Sequence, residues 1–297
     1  MTFTPELLND VLNAVRDPAT GVPHLGGAEF ENATFMDTAE FTGARFTGWA
    51  RFDQATFAGG ALFMGAVFGS NARFGQAAFE GGGAFIGTTF EDQVSFGEAT
   101  FNYWASFDQA TFNGEIADFG KATFMGDARF SGAQFTRSGN CTWHFGRARF
   151  ETARTLGPLA CSGRLSLDHV EFAGPVTVEV AAERMSCVGT RFDGPATLRV
   201  SYAEVDLSEA VLAHPVTVVS NARHRGPLPT DLANRPEATA SVLSVLRVDA
   251  ALLVLTDVDL RRCTFSGAHH LDQLRLEGEC HFDAPPKGVR WGLRPVR

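Results

Sequence analysis

The chain lacks any uninterrupted apolar run of the roughly 18 residues or more that a membrane-spanning helix needs. Residues 1–20 lack both a basic start and an apolar core, so no secretory signal is read there. Cysteine is sparse and odd in number. Cys141, Cys161, Cys187, Cys263 and Cys280 are too scattered for a disulfide framework, and a reducing cytoplasm is the expected compartment. No P-loop, G-x-S-x-G elbow or dinucleotide fingerprint occurs. Cys263, His269, His270, Cys280 and His281 could offer zinc ligands, but they lack the tight ligand pairs of a structural zinc site. They read instead as an unliganded core cysteine with surface histidines. Neither enzymatic activity nor a cofactor or metal is expected.

Phenylalanine and glycine are abundant, at 27 and 31 of the 297 residues, against two tyrosines. From Phe30 to Phe112 phenylalanine returns in steps of five and six, an 11-residue period. After one seven-residue step the beat resumes at Phe119, Phe124, Phe130 and Phe135, then at Phe145 and Phe150. Two positions before each Phe sits a small residue, Ala in 18 of 22 cases, with Gly83, Thr88, Val94 and Trp143 as exceptions. Residues two apart share a face only in extended chain. A helix, at 100° per residue, would scatter the rings. Each unit therefore reads as a short strand with Ala and Phe inward, followed by a corner that often holds glycine, as at Gly43, Gly48, Gly59, Gly65, Gly81 and Gly87. A fixed period with one such unit per repeat means a solenoid.

The A-x-F-x-G-type unit resembles the pentapeptide repeat family. The resemblance implies an all-β solenoid, a right-handed, four-sided parallel β-helix, whose usual coil is four pentapeptides. Here two 11-residue units make a 22-residue coil with two enlarged corners. Residues 22 apart should then stack, and the outward positions Thr34, Thr56, Ala78, Thr100 and Thr123 form a nearly continuous threonine ladder. Eight rings are expected in two buried columns: Phe30, Phe52, Phe74 and Phe96 in one, Phe41, Phe63, Phe85 and Phe107 in the other.

Residues 1–27 read as an N-terminal capping helix and lead-in. Thr4 is placed as N-cap, Pro5 opens the helix, and Leu8, Val11, Leu12 and Val15 share one face. A solenoid's first coil needs such a cap, although a partner-binding helix is the rival reading. Residues 28–150 are the Phe-rich β-helix. In 151–220 the core turns aliphatic and the period shortens to 20, as in Phe172, Phe192 and Leu212. Three prolines break the pattern in 221–241, read as a mobile excursion loop. Terminal coils follow in 242–282, with Leu255, Leu260 and Phe265 five apart. The tail, 283–297, shows no clear cap, so a continuing chain or a partner docked at that end is expected.

For function, a rigid protein–protein interaction scaffold with an unidentified protein partner is expected, without direct nucleic-acid or membrane binding. The candidate contact residues are Trp49, Tyr103, Trp104, Asp53, Glu91 and Asp108, the aromatics having corner packing as their alternative role. The resemblance also implies the alternative of a DNA mimic that binds and inhibits a type II topoisomerase, protecting DNA gyrase. Residues 28–135 hold 13 acids and 5 bases, net −8, whereas about 14 negative charges would match duplex DNA over that length. Arg51 and Arg73 interrupt the outward row that begins at Glu29, and the row beginning at Glu40 ends at Arg129.

Overall fold

A computed structural model describes residues 1–136, 139–221, 223–235 and 238–283. All-parallel ladders assemble four sheets into a four-sided β-solenoid. The first complete coil runs through side 1 at Ala28–Glu29, side 2 at Thr34–Phe35, side 3 at Ala39–Glu40 and side 4 at Arg45–Phe46. Sides 1 and 3 are therefore opposite. The sheets on sides 1 to 4 hold 10, 10, 5 and 12 strands respectively.

The 22-residue coil is direct in the register: Thr34 pairs with Thr56, Thr56 with Ala78, Ala78 with Thr100, and Thr100 with Thr123. The last step is longer by one, because the seven-residue step inserts a residue at Ile116–Asp118. Inside, rings stack at the strand spacing of about 4.8 Å. Phe52 and Phe74 lie 4.9 Å apart and 3° from parallel, and Phe63 and Phe85 lie 5.1 Å apart at 5°. Between columns the rings meet edge to face, as Phe52 does with Phe63 at 5.4 Å and 84°. Both geometries suit the aromatic quadrupole, so Phe satisfies two directions of packing at once. All eight rings expected in the two columns are buried.

The corners divide by step length. Five-residue steps turn through a left-handed residue, as at Gly43, Gly65 and Gly87 on one corner and Asn32, Gln54, Gln76 and Glu98 on another. At six-residue steps glycine serves close approach instead: a Cβ on Gly81 would lie 2.5 Å from the Gly59 carbonyl carbon below it.

The N-terminal helix α1 spans Pro5–Ala14, with Thr4 Oγ1 accepting from Leu7 N at 3.3 Å and Leu8 and Leu12 buried. Thr2–Phe3 also joins side 2 as a strand, and Phe3 stacks 5.2 Å from Phe35. Both the helix and this strand therefore close the first coil.

Above Phe150 the cross-section changes. Side 3 ends at Ala128–Arg129, and the coils from there to Ser244 have three strands: a short one on side 2, a five- or six-residue one such as Val176–Ala181, and one on side 1. The six-residue strand runs through the place of side 3, the corner and side 4. Its sequence, VTVEVA, is mostly β-branched, and such side chains favour extended backbone and clash in a left-handed turn, in keeping with the straight run. Losing that corner shortens the coil, and Thr177 lies opposite Thr197, the period read from Phe172, Phe192 and Leu212. The fully buried Trp143 marks the changeover, filling the space beside Phe112, Phe130 and Phe135 where the side 4 ring column stops.

Within 221–241, a short helix, Thr230–Ala233, lies against the wall, with Leu232 buried and Asp231 accepting from Ser162. The strand Leu253–Thr256 then pairs with Val216–Ser220 on side 4, resuming the wall. Residues 284–297, nearly all of the tail, lie outside the described residues.

Candidate functional site

The outward row of side 1 runs Glu29, Arg51, Arg73, Ser95, Asp118, His144, Ser166. Next to it, one residue beyond each inward Phe, run Asp53, Gly75, Gly97, Gly120 and Gly146. The glycines leave room that side chains would fill: a Cβ on Gly120 would lie 2.9 Å from the His144 ring, and one on Gly146 2.8 Å from it. The result is an open groove of about 840 Å³ along side 1, bordered by Asn71, Gln93 and Ile116 on its other flank. A second depression, about 500 Å³, continues it past Lys121 and Arg147 to Asp168.

Asp118 is the centre of the groove's polar chemistry. It accepts from Ser95 Oγ at 3.0 Å and from Gly120 N at 2.9 Å, and its Oδ1 lies 2.8 Å from His144 Nδ1. Partial burial raises the Asp118 pKa, but the bonds from His144, Gly120 and Ser95 outweigh it and leave the carboxyl below its ordinary range. The same bond to Asp118 lifts the His144 pKa. Serine, histidine and aspartate sit together here, yet in an order unsuited to nucleophilic catalysis. The carboxylate stands between them and accepts the serine's hydrogen bond, so Ser95 has no imidazole base.

Side-chain ladders line the rest of the groove. Gln54 Nε2 donates to Gln76, Gln76 Nε2 to Glu98, and Lys121 Nζ to Glu98, at 2.9, 3.0 and 2.7 Å. Arg73 Nε lies 3.0 Å from Asp53.

The six expected contact residues fall on all four corners. Trp49 is 56% exposed on the corner before side 1, with the Arg51 guanidinium 4.8 Å from its ring centroid. Glu91 shares that corner and accepts from Asn113 at 2.7 Å. Asp53 lies on the corner after side 1, where it accepts from Gly75 N at 3.1 Å, and it alone of the six borders the groove. Tyr103 is exposed on the corner before side 3, beside a half-buried Trp104 packed on Gly82. Asp108, on the corner after side 3, accepts from Ser131 N at 2.7 Å. Sequence reasoning followed the side 1 row as far as Asp118 but missed His144 and the glycine column. The rungs from Arg73 to His144 are unequally spaced in the chain, so the alignment shows only once the insertions are placed.

Among the described residues no cluster of His, Cys, Asp or Glu is arranged to hold a metal ion. His270 pairs with Asp249 at 2.8 Å, and the Cys280 thiol faces the Leu255 carbonyl at 3.5 Å. No helix among them is long and apolar enough to cross a membrane.

A family model described as pentapeptide repeats (9 copies) matches residues 19–56 and 52–100. The chain carries pentapeptide repeats over residues 19–100, somewhat over a quarter of its length. No curated protein and no solved structure matches it. The matched span lies below the coils in which side 3 is lost.

Proposed function

We propose that the chain is a non-catalytic scaffold that presents side 1 to a protein partner. The observation that carries this reading is the groove over Arg73, Ser95, Asp118 and His144. It is long and open, carries polar side chains along its length, and is built on a wall whose interior is filled by stacked rings. A rigid wall loses little conformational freedom on binding, which favours recognition by shape and hydrogen bonding. DNA mimicry is opposed by charge pairing. Arg51 sits near Glu29 and Glu31, Arg73 near Asp53, and Lys121 near Glu98, so cations break the acidic rows. Neither nucleic acid nor membrane is part of the proposal.

The test is capture from host lysate by the immobilised full-length chain, compared with a Gln93→Arg/Ser95→Arg variant that fills the groove. A protein retained by the wild type and lost from the variant is expected. Retention of nothing specific, or retention indifferent to the groove, overturns the reading.

A further inference from the structure

Side 3, opposite the groove, has an outward row of different character: Glu40, Leu62, Ala84, Ser106, Arg129. An acid begins it, a base ends it, and small residues sit at and above its middle. Ala84 and Ser106 are 2% and 5% exposed, so they form low ground, whereas Leu62 projects. One flanking corner exposes Met64 and Ile86, at 37% and 38%. The other carries Gly60 and Gly82, with the Trp104 indole so close that a Cβ on Gly82 would lie 2.8 Å from it.

We propose that side 3 is the face of an antiparallel homodimer. A two-fold axis parallel to the strands, at the level of Ala84, reverses the row and sets it against itself. Glu40 then faces the Arg129 of the second copy, twice by symmetry. Leu62 faces the low ground at Ser106, Ala84 meets Ala84, and Ile86 meets Ile86. The Trp104 indole lies over Gly82, at the level of the axis, so the two indoles meet across it. The row is thus complementary to its own reverse in charge and in relief, and this argues for a second copy as the occupant. Arg129 is also paired to Asp127 at 2.7 Å within its own chain, but its side chain is 67% exposed and open to a second carboxylate. In this pair the two side 1 grooves face outward in opposite directions, making the assembly bivalent. The dimer stands on side 3 alone and does not depend on what the groove binds.

A face five strands tall is smaller than the ~800 Å² per partner of a standard stable interface, so a weak, reversible dimer is expected. The test is sedimentation equilibrium of the full-length protein from a few micromolar to several hundred. Wild type should show a monomer–dimer equilibrium. Ile86→Lys, which sets two cations together on the axis, should leave monomer only. Glu40→Arg and Arg129→Glu should each weaken the dimer about tenfold, and the double exchange Glu40→Arg/Arg129→Glu should restore it. All three positions changed are at the surface, and circular dichroism checks that each variant is folded. A wild type that stays monomeric overturns the proposal. So does a dimer indifferent to Ile86→Lys, which would place association elsewhere, such as the C-terminal end, or a charge exchange that fails to rescue.

Discussion

Asp118 and His144 stand on adjacent rungs of side 1, joined at 2.8 Å although 26 residues separate them in the chain. Their titration makes stability depend on pH. The raised His144 pKa contributes stability that is complete below the ordinary value of 6.5 and is lost as pH rises through the folded value. The lowered Asp118 pKa contributes stability present above its ordinary 3.8 and lost as pH falls through the folded value. Both contributions are whole between 3.8 and 6.5. Both side chains are partly exposed, at 45% and 33%, so water screens the pair and the effect is modest. The difference in melting temperature between wild type and His144→Gln should be largest near pH 5–6 and shrink towards pH 9. An equal difference at all pH values would remove the ion pair from the account.

Phe74 touches rings above and below, Phe96 at 4.7 Å and Phe52 at 4.9 Å, and is fully buried. Phe74→Ala should cost about 3–5 kcal/mol in chemical denaturation, because neighbours held by their own ladders cannot collapse into the space. Phe74→Leu should cost less. A loss under about 1 kcal/mol for the alanine variant would contradict the stacked-ring core.

Leu8 and Leu12 are the buried face of α1. Changing both to Asp should detach the helix and uncover unpaired edges of the first coil, favouring end-to-end association. Light scattering and thermal melting check this. A double variant that is monomeric and as stable as wild type would leave the helix without a capping role.

Two glycines separate conformational from spatial need. Gly65 has φ +63° with open space around its Cβ position, so Gly65→Ala should cost about 1–2 kcal/mol for the left-handed backbone alone. At Gly126 a Cβ would fall 1.5 Å from the Tyr103 carbonyl oxygen, so Gly126→Ala must displace backbone and should cost more. Denaturation of the two variants side by side gives the order.

Purified topoisomerase should supercoil DNA unhindered by this chain at low salt. Potent inhibition that weakens with added salt and disappears in an Asp53→Asn/Asp108→Asn variant would make mimicry the better reading.

The solenoid, its 22-residue coil and the two columns of Phe were legible in the sequence because each depends on short-range periodicity. Alternation in extended chain sets which residues face inward, and a constant step sets which of them stack. The threonine ladder from Thr34 to Thr123 followed from counting alone. Tertiary structure decided whatever depends on irregular steps. The insertion after Phe135 hides the rung that brings His144 to Asp118, and the glycine column beside them shows locally only as the Phe-Gly pairs at 74–75, 96–97, 119–120 and 145–146. The loss of side 3 was equally hidden, although the β-branched residues of VTVEVA favour the extended backbone that replaces the corner. Which outward residues share a face is set by the sum of all intervening step lengths, so each insertion shifts every later assignment, and only the folded coil closes that sum.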